Sequence, residues 1–147
     1  MPSKNNVKHS ICNVLLDLKN MQDLLTESSS KFLSKTLSDL VGVDTIPFIM
    51  YTNGDLFKRM GRDKTNNDET FITSYFRIES IDQENSRTHV SLLRPLNIHG
   101  EDTQLMSDLI MLKKTAASTD IDLSQINGIQ PLDIDYLKRK IIIEPKW

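Results

Sequence analysis

Apolar side chains near the N-terminus repeat at the spacing of an α-helix. Over residues 5–27 the intervals between them alternate between four and three residues, at Val7, Ile11, Val14, Leu18, Met21 and Leu25. A period of 3.5 residues predicts a helix with an apolar seam along one side. Leu15, Leu16 and Leu24 widen that apolar face, which favours packing in a bundle or on a sheet over an isolated coiled coil.

The serine run at 28–30 interrupts this pattern and is suited to capping a second helix. That second helix is predicted over residues 31–41, and Gly42 is well placed to end it. Its apolar face would carry Leu33, Thr36, Leu37, Leu40 and Val41.

From residue 44 onwards the pattern changes to the shorter period of β-strands. Strands are predicted at 46–51, 55–60, 70–81, 89–94 and 140–144. Asn53-Gly54 joins the first two strands as a two-residue hairpin turn, because both positions tolerate a positive φ. Residues 61–69 are predicted to form a polar loop before the single long strand at 70–81.

Two later stretches leave alternatives open. The apolar run at 109–112 fits either a strand or a helical turn, and residues 121–129 fit two short strands or one bulged strand. The chain as a whole is predicted to be α+β, with an N-terminal helical arm at residues 1–43 and an antiparallel, β-sandwich-like domain at residues 44–147. The arm either covers the sheet of its own chain or offers its seam to another copy.

Charge and composition exclude some classes of partner. The net charge of −2 over 147 residues gives no general attraction to nucleic acid or to an anionic membrane. No apolar run approaches the roughly 20 residues that span a bilayer. The N-terminal sequence MPSKNNVKHS lacks the apolar core of a signal peptide. We therefore expect no nucleic-acid or membrane partner, and a protein made and kept inside a cell or released when that cell lyses.

Candidate chemistry is sparse. The histidines at positions 9, 89 and 99 share no metal-ligand spacing. The segment 99–102 favours a polar turn over a weak cation site, and the loop beginning at Asp63 lacks the glycine and the bidentate glutamate of a calcium loop. Cys12 is the only cysteine, so a disulfide is open only between two chains. We expect no cofactor, no metal and no enzyme activity.

Arg77 and Glu79 lie two residues apart on one face of the predicted long strand. A guanidinium in an otherwise aromatic and apolar strand needs a partner. Glu79 is expected to be a poor partner, because side chains at this spacing on one strand point in parallel. Two hypotheses stay open, an exposed face with a weak surface ion pair and a subunit contact in which Arg77 meets a carboxylate of the next chain.

Several short motifs occur in a recognisable order between about residues 44 and 132. They are Asp44-Thr45-Ile46-Pro47-Phe48, Asp55-Leu56-Phe57 with Gly61, Tyr75-Phe76-Arg77-Ile78-Glu79, Leu92-Leu93-Arg94-Pro95, Leu112-Lys113-Lys114-Thr115, Ile121-Asp122-Leu123 and Ile129-Gln130. Together they resemble the CotY/CotZ/ExsY family of spore coat and exosporium proteins. That family is rich in cysteine, whereas this chain has Gln125, Asn127 and Pro131 in the corresponding final strands. Cys12 alone falls at a family cysteine position.

The resemblance implies a non-enzymatic structural protein of a bacterial spore outer layer, which self-assembles into an ordered oligomer or lattice. The resemblance also implies that the partners are further copies of the chain and other spore coat or exosporium proteins. The protein would be made in the mother-cell cytoplasm and located at the spore surface. Contact residues are expected at Cys12, Val7, Ile11, Leu18, Arg77 and Glu79. The alternative is a β-sandwich adaptor that anchors another spore-surface component or appendage.

Overall fold

The computed structural model describes residues 4–31, 45–132 and 142–144. One long helix, α1, spans Lys4–Lys31. The strands of the described residues are β1 Phe48–Thr52, β2 Asp55–Leu56, β3 Arg59–Asp63, β4 Glu69–Thr73, β5 Phe76–Asp82, β6 Arg87–Leu96, β7 Met111–Asp122, β8 Gly128–Pro131 and β9 Ile142–Glu144. This order confirms the predicted α+β class. Residues 32–41 of the predicted second helix lie outside the described residues.

Most of the strands form one curled main sheet in the order β2-β1-β5-β6-β7-β9, with β8 pairing to β1 as well. The pairs are antiparallel except that β9 runs parallel to β7. The longest ladder joins β6 to β7, from Arg87 opposite Asp122 to Leu96 opposite Met111. The predicted strands at 46–51 and 89–94 correspond to β1 and β6, and the predicted final strand corresponds to β9 in its described part.

The hairpin of β3 and β4 forms a separate two-stranded sheet. It contacts β6 and β7 of the main sheet and so gives the domain its sandwich-like second layer. Gly61 permits this close approach, because a Cβ atom there would lie 3.0 Å from both Ala117 Cβ and Leu92 Cδ2. The predicted loop at 61–69 is therefore wrong at both ends, since only residues 64–68 connect the paired strands. Cross-strand packing outweighs the polar composition of this segment.

Helix α1 packs on the main sheet of its own chain. Its buried side chains are Ile11, Cys12, Leu15, Leu18 and Gln22. Two members of the predicted seam are thus buried, but Val14 and Met21 are exposed. The buried face is rotated around the helix axis relative to the predicted seam, because Leu15 and the polar Gln22 belong to it. The side chains of Val7 and Leu25 lie outside the described part of the chain.

The predicted break at the serine run is also wrong, because α1 continues through residues 28–30 to Lys31. Serine favours the N-cap position, but inside a helix it lowers the stability of the helix by only about 0.5 kcal/mol relative to alanine, far less than proline does.

The predicted long strand at 70–81 is divided into β4 and β5, which belong to different sheets. The Thr73 hydroxyl donates to the Leu93 carbonyl and accepts a hydrogen bond of 3.0 Å from the Tyr75 amide. These bonds turn the chain at Ser74, which lies between the two strands. The strand that carries Arg77 therefore does not continue back to residue 70, contrary to the prediction of a single long strand.

The two-residue hairpin turn at Asn53-Gly54 is confirmed. Asn53 has φ 48° and Gly54 has φ 87°, and Thr52 pairs directly with Asp55 across the turn. Both positive angles are those of the primed turns that match the twist of antiparallel strands. The returning strand β2 is shorter than the predicted 55–60, because the chain leaves the main sheet and begins β3 at Arg59.

Gly54→Val is expected to lower the free energy of unfolding by about 1–2 kcal/mol. No atom lies within 4 Å of a Cβ placed at Gly54, so the loss comes from backbone strain alone, since a β-branched residue resists a positive φ. Urea denaturation measures the loss. Gly54→Asn is the control and should cost less, because asparagine tolerates this conformation. Equal stability of the valine variant and the wild type would contradict the turn assignment.

Candidate functional site

Arg77 and Glu79 lie on the outer face of the main sheet, which carries a group of polar residues. We call the polar sheet face the set Arg77, Glu79, His89, Ser91, Ser118 and Asp120. Arg77 is paired with Ser91, and Ser91 with Ser118, so one row crosses three strands. His89 is paired with Asp120 in the next row. Directly opposed residues of antiparallel strands point to the same face, so these side chains form one surface.

Arg77 finds its partners within its own chain. Its Nη1 donates to Glu79 Oε1 at 2.6 Å, and its Nε donates to Thr45 Oγ1 at 2.8 Å. The expectation that Glu79 is a poor partner is wrong. A register shift between Ile78 and Ser80 places a bulge at Glu79, and Ser91 Oγ donates to the same carboxylate at 2.6 Å. The bulge re-aims the Glu79 side chain, as bulges commonly do.

A second pair on this face joins His89 and Asp120. His89 Nδ1 lies 2.7 Å from Asp120 Oδ1, and both side chains are substantially exposed. The pair carries a full ionic interaction only when the imidazole is protonated. The polar sheet face therefore presents two tethered acidic groups, one guanidinium and one histidine on a β surface that is bulged at Glu79. Such a surface suits hydrogen-bonded contact with another macromolecule.

The helical residues of the predicted interface face inwards. Ile11, Cys12 and Leu18 belong to the core cluster that α1 shares with Phe48, Phe76 and other residues of the main sheet. Cys12 is only 4% exposed, and burial raises the pKa of its thiol. A thiol in this position reacts slowly, because the thiolate is the reactive form. Contact with a second copy through these three side chains would require α1 to leave its sheet.

A buried ion-pair network, which the sequence interpretation did not identify, links the two sheets. Arg94 on β6 is 5% exposed in its side chain and Asp63 on β3 is fully buried. Arg94 Nη1 donates to Asp63 Oδ2 at 3.0 Å, and Arg94 binds both carboxylate oxygens of Asp102 at 2.7 and 3.1 Å. Lys113 Nζ donates to Asp63 Oδ2 at 2.8 Å from β7. Glu69 lies at the edge of the network, 3.4 Å from Arg94 Nη2.

The electrostatics of this network fix its protonation state. Burial alone would raise the pKa of Asp63, but hydrogen bonds from Lys113, Thr65 and Arg94, together with the Lys113 charge, hold that pKa at about 2. Hydrogen bonds to the Asp102 carboxylate raise the pKa of Arg94 against the effect of its own burial. Within the described residues, no buried side-chain nitrogen or oxygen lacks a partner. A fully satisfied network of this kind fixes the position of the β3–β4 hairpin on the main sheet.

Acidification from about pH 5 to pH 2 is expected to remove about 2 kcal/mol of stability through Asp63. The pKa of Asp63 is about 2 in the folded state, below its ordinary 3.8. The carboxylate therefore contributes fully above pH 4, and its contribution is lost as the pH falls towards 2. The stability difference between the wild type and Asp63→Asn, measured by urea denaturation, should shrink over this interval. A constant difference from pH 5 to pH 2 would contradict the assignment.

The described residues contain no group of three or more His, Cys, Asp or Glu side chains that could hold a metal ion. Asp102, one end of the segment 99–102, is bound by Arg94 instead of being available to a cation. Asp63, the first residue of the loop that resembles a calcium site, is likewise occupied by Arg94 and Lys113. The His9 side chain lies outside the described part. No described helix has the length and apolar character needed to cross a bilayer.

Most of the chain matches the model of a known protein family. The family model described as spore coat protein Z matches residues 2–133. The matched region includes α1, the polar sheet face and the ion-pair network. No curated protein and no solved structure matches the chain at a significant level.

Proposed function

The chain belongs to the spore coat protein Z family, and from this membership we propose that it is a non-enzymatic building block of a bacterial spore outer layer that associates with further copies of itself. The observation that carries the proposal is the family match over residues 2–133. A spore coat role is a structural one, and it requires a stable fold with surfaces available for contact. Other coat or exosporium proteins are the further partners that this role implies.

Contacts between copies are proposed to be non-covalent. The chain has one cysteine, and that residue is 4% exposed on the buried face of α1. A disulfide requires the two Cα atoms to approach within about 7 Å, which a thiol packed against its own sheet does not allow without undocking the helix. Shape, apolar area and hydrogen bonds must then supply the affinity.

The polar sheet face is proposed as one contact surface. Its Arg77 and Glu79 are held by Thr45 and Ser91, so they offer a fixed arrangement of charge. Preorganised side chains lose less conformational entropy on binding than free ones do. The guanidinium, the carboxylates and the exposed Ser118 hydroxyl are suited to pairing with a complementary surface.

The test is a size measurement in strong reductant. Sedimentation velocity of the purified protein should show an oligomer in both oxidising and reducing buffer, because no disulfide is needed. Electron microscopy should then show ordered rings or sheets. A monomer at high concentration in both buffers would rule out self-association, and it would favour an adaptor that binds a different spore-surface component.

The same size measurement on a variant of the polar sheet face tests whether that face is a contact surface. Ser118→Arg places a long side chain on this face at an exposed position, so the fold should tolerate it. Ser124→Arg is the control, at an exposed position in the 3-10 helix Leu123–Gln125. Ser118→Arg should weaken association and Ser124→Arg should not. Equal association of the two variants would remove the polar sheet face from the contact surfaces.

A further inference from the structure

The outer surface of the β3–β4 hairpin is apolar although it faces solvent. Met60 is 67% and Ile72 is 44% exposed, and the two residues are directly paired across the hairpin. They line a groove of about 440 Å³, together with Lys58, Thr70, Phe71, Asp102 and Gln104. Gln104 closes one side by donating from Nε2 to the Ile72 carbonyl at 2.9 Å. We call this feature the hairpin groove.

Helix α1 carries a second exposed apolar surface. Val14, Met21 and Leu24 are 42%, 52% and 61% exposed. With the exposed Asp17 they form a row at intervals of three, four and three residues, which keeps them on one side of a helix. We call this row the outer stripe. It lies away from the buried face of α1, so the helix is apolar on a side that its own sheet does not use.

The two surfaces differ in shape and in charge. The hairpin groove is concave and is lined by one lysine, the exposed Lys58, and one carboxylate, that of Asp102. Arg94 binds both oxygens of Asp102 and balances its charge. The outer stripe is convex and has the Asp17 carboxylate at its centre. An amphipathic helix laid into an apolar groove is a common recognition mode, and its anchors occur at the intervals found in the outer stripe. The opposite charges of Lys58 and Asp17 favour this pairing over contact between two like surfaces.

Both surfaces also belong to the same side of the molecule. Ile11 and Leu15 of α1 and Phe71 of β4 are members of one core cluster with the main sheet beneath them. The helix and the hairpin therefore lie in one layer over that sheet. A two-fold axis that faces two such layers towards each other can bring each helix onto the hairpin of the other copy, so the contact is made twice.

We propose that the outer stripe of one copy docks into the hairpin groove of a second copy, with Asp17 opposite Lys58, and that the same contact is repeated by the two-fold axis. This inference rests on the proposed self-association and assigns it a surface. The dimer uses the side of the molecule opposite to the polar sheet face. That face is then left for contacts that extend the assembly, since a two-fold contact alone closes on itself.

The first test removes the apolar anchor. Met60→Asp should weaken dimerisation at least tenfold in sedimentation equilibrium, because a buried carboxylate without a partner opposes docking. Ile98→Asp is the matched control, since Ile98 is 76% exposed and outside the groove, and its dimerisation should match that of the wild type. Dimerisation unaffected by Met60→Asp would overturn the inference. So would a lowered melting temperature with unchanged dimerisation, which would mean that the chain fills the groove with its own residues.

The second test reverses the charges. Asp17→Lys and Lys58→Asp should each weaken dimerisation by about tenfold, because the two-fold axis makes each substitution remove two exposed ion pairs. The double variant should recover the wild-type affinity, because Lys at position 17 then meets Asp at position 58 of the other copy. Additive weakening in the double variant would overturn the pairing. A wild-type protein that stays monomeric would defeat both the proposed function and this inference, whereas an oligomer indifferent to all these substitutions would defeat this inference alone.

Discussion

Arg94→Met is expected to lower the free energy of unfolding by about 3–5 kcal/mol, the range measured when one partner of a buried ion pair is removed. The substitution preserves much of the side-chain length but leaves Asp63, which is fully buried, with Lys113 and Thr65 as its remaining side-chain partners among the described residues. Asp102 and Glu69 are partly exposed, so water can replace their lost bonds. The loss therefore comes mainly from Asp63. Urea denaturation followed by circular dichroism measures it.

A matched control separates this effect from the general loss of an arginine. Arg62→Met removes a guanidinium that is 69% exposed and 3.4 Å from Asp68, and it should cost less than about 1 kcal/mol. The hairpin should also be the first element to loosen in the Arg94 variant, because Arg94 joins β6 to Asp63 of β3. Amide hydrogen exchange should rise in β3 and β4 before it rises in β6. Similar stabilities of the two variants would show that the network contributes little.

The parts of the fold that depend on adjacent residues were the most predictable from the sequence. The turn at Asn53-Gly54 was predictable because its conformation depends on two adjacent residues that tolerate positive φ. Strand β7 was largely missed, because residues 113–120 read KKTAASTD and show no apolar alternation. It forms a strand because β6 pairs with it over most of its length. The break between β4 and β5 was missed for a similar reason, since Thr73 bonds to Leu93, which lies 20 residues away.

The candidate site was also only partly predictable, because its contacts join residues that are distant in the sequence. Arg77 and Glu79 could be placed on one strand face, but Thr45 and Ser91 come from other parts of the chain. Arg94 appeared in the Leu92–Pro95 motif without a role. A charged residue inside an apolar strand was the available signal, because arginine is almost never buried without a partner. Its partner carboxylates at positions 63, 69 and 102 were not predictable from spacing.

Gln22→Met is expected to lower the free energy of unfolding by about 2–6 kcal/mol, because it leaves two buried backbone groups without a partner at about 1–3 kcal/mol each. Gln22 Nε2 donates to the Ile78 carbonyl at 3.0 Å, and Gln22 Oε1 accepts from the Ile46 amide at 3.2 Å. A single side-chain amide thus bridges the chain before β1 to strand β5, in the way that a further strand residue would. Methionine has a similar volume, so the apolar packing of α1 is preserved while both hydrogen bonds are lost.

The chain provides a matched control at Gln104, whose amide also donates to a strand carbonyl, that of Ile72, at 2.9 Å. Gln104 is exposed whereas Gln22 is 3% exposed. In Gln104→Met water can reach the vacated carbonyl, so the loss should stay below about 1 kcal/mol. The same chemical change should therefore lower the free energy of unfolding several-fold more at position 22 than at position 104. Hydrogen exchange of the Ile46 amide should be faster in Gln22→Met than in the wild type. Equal losses of unfolding free energy at the two positions would contradict this assignment. Gln22 would then hold α1 on the sheet by packing and not by its hydrogen bonds to Ile46 and Ile78.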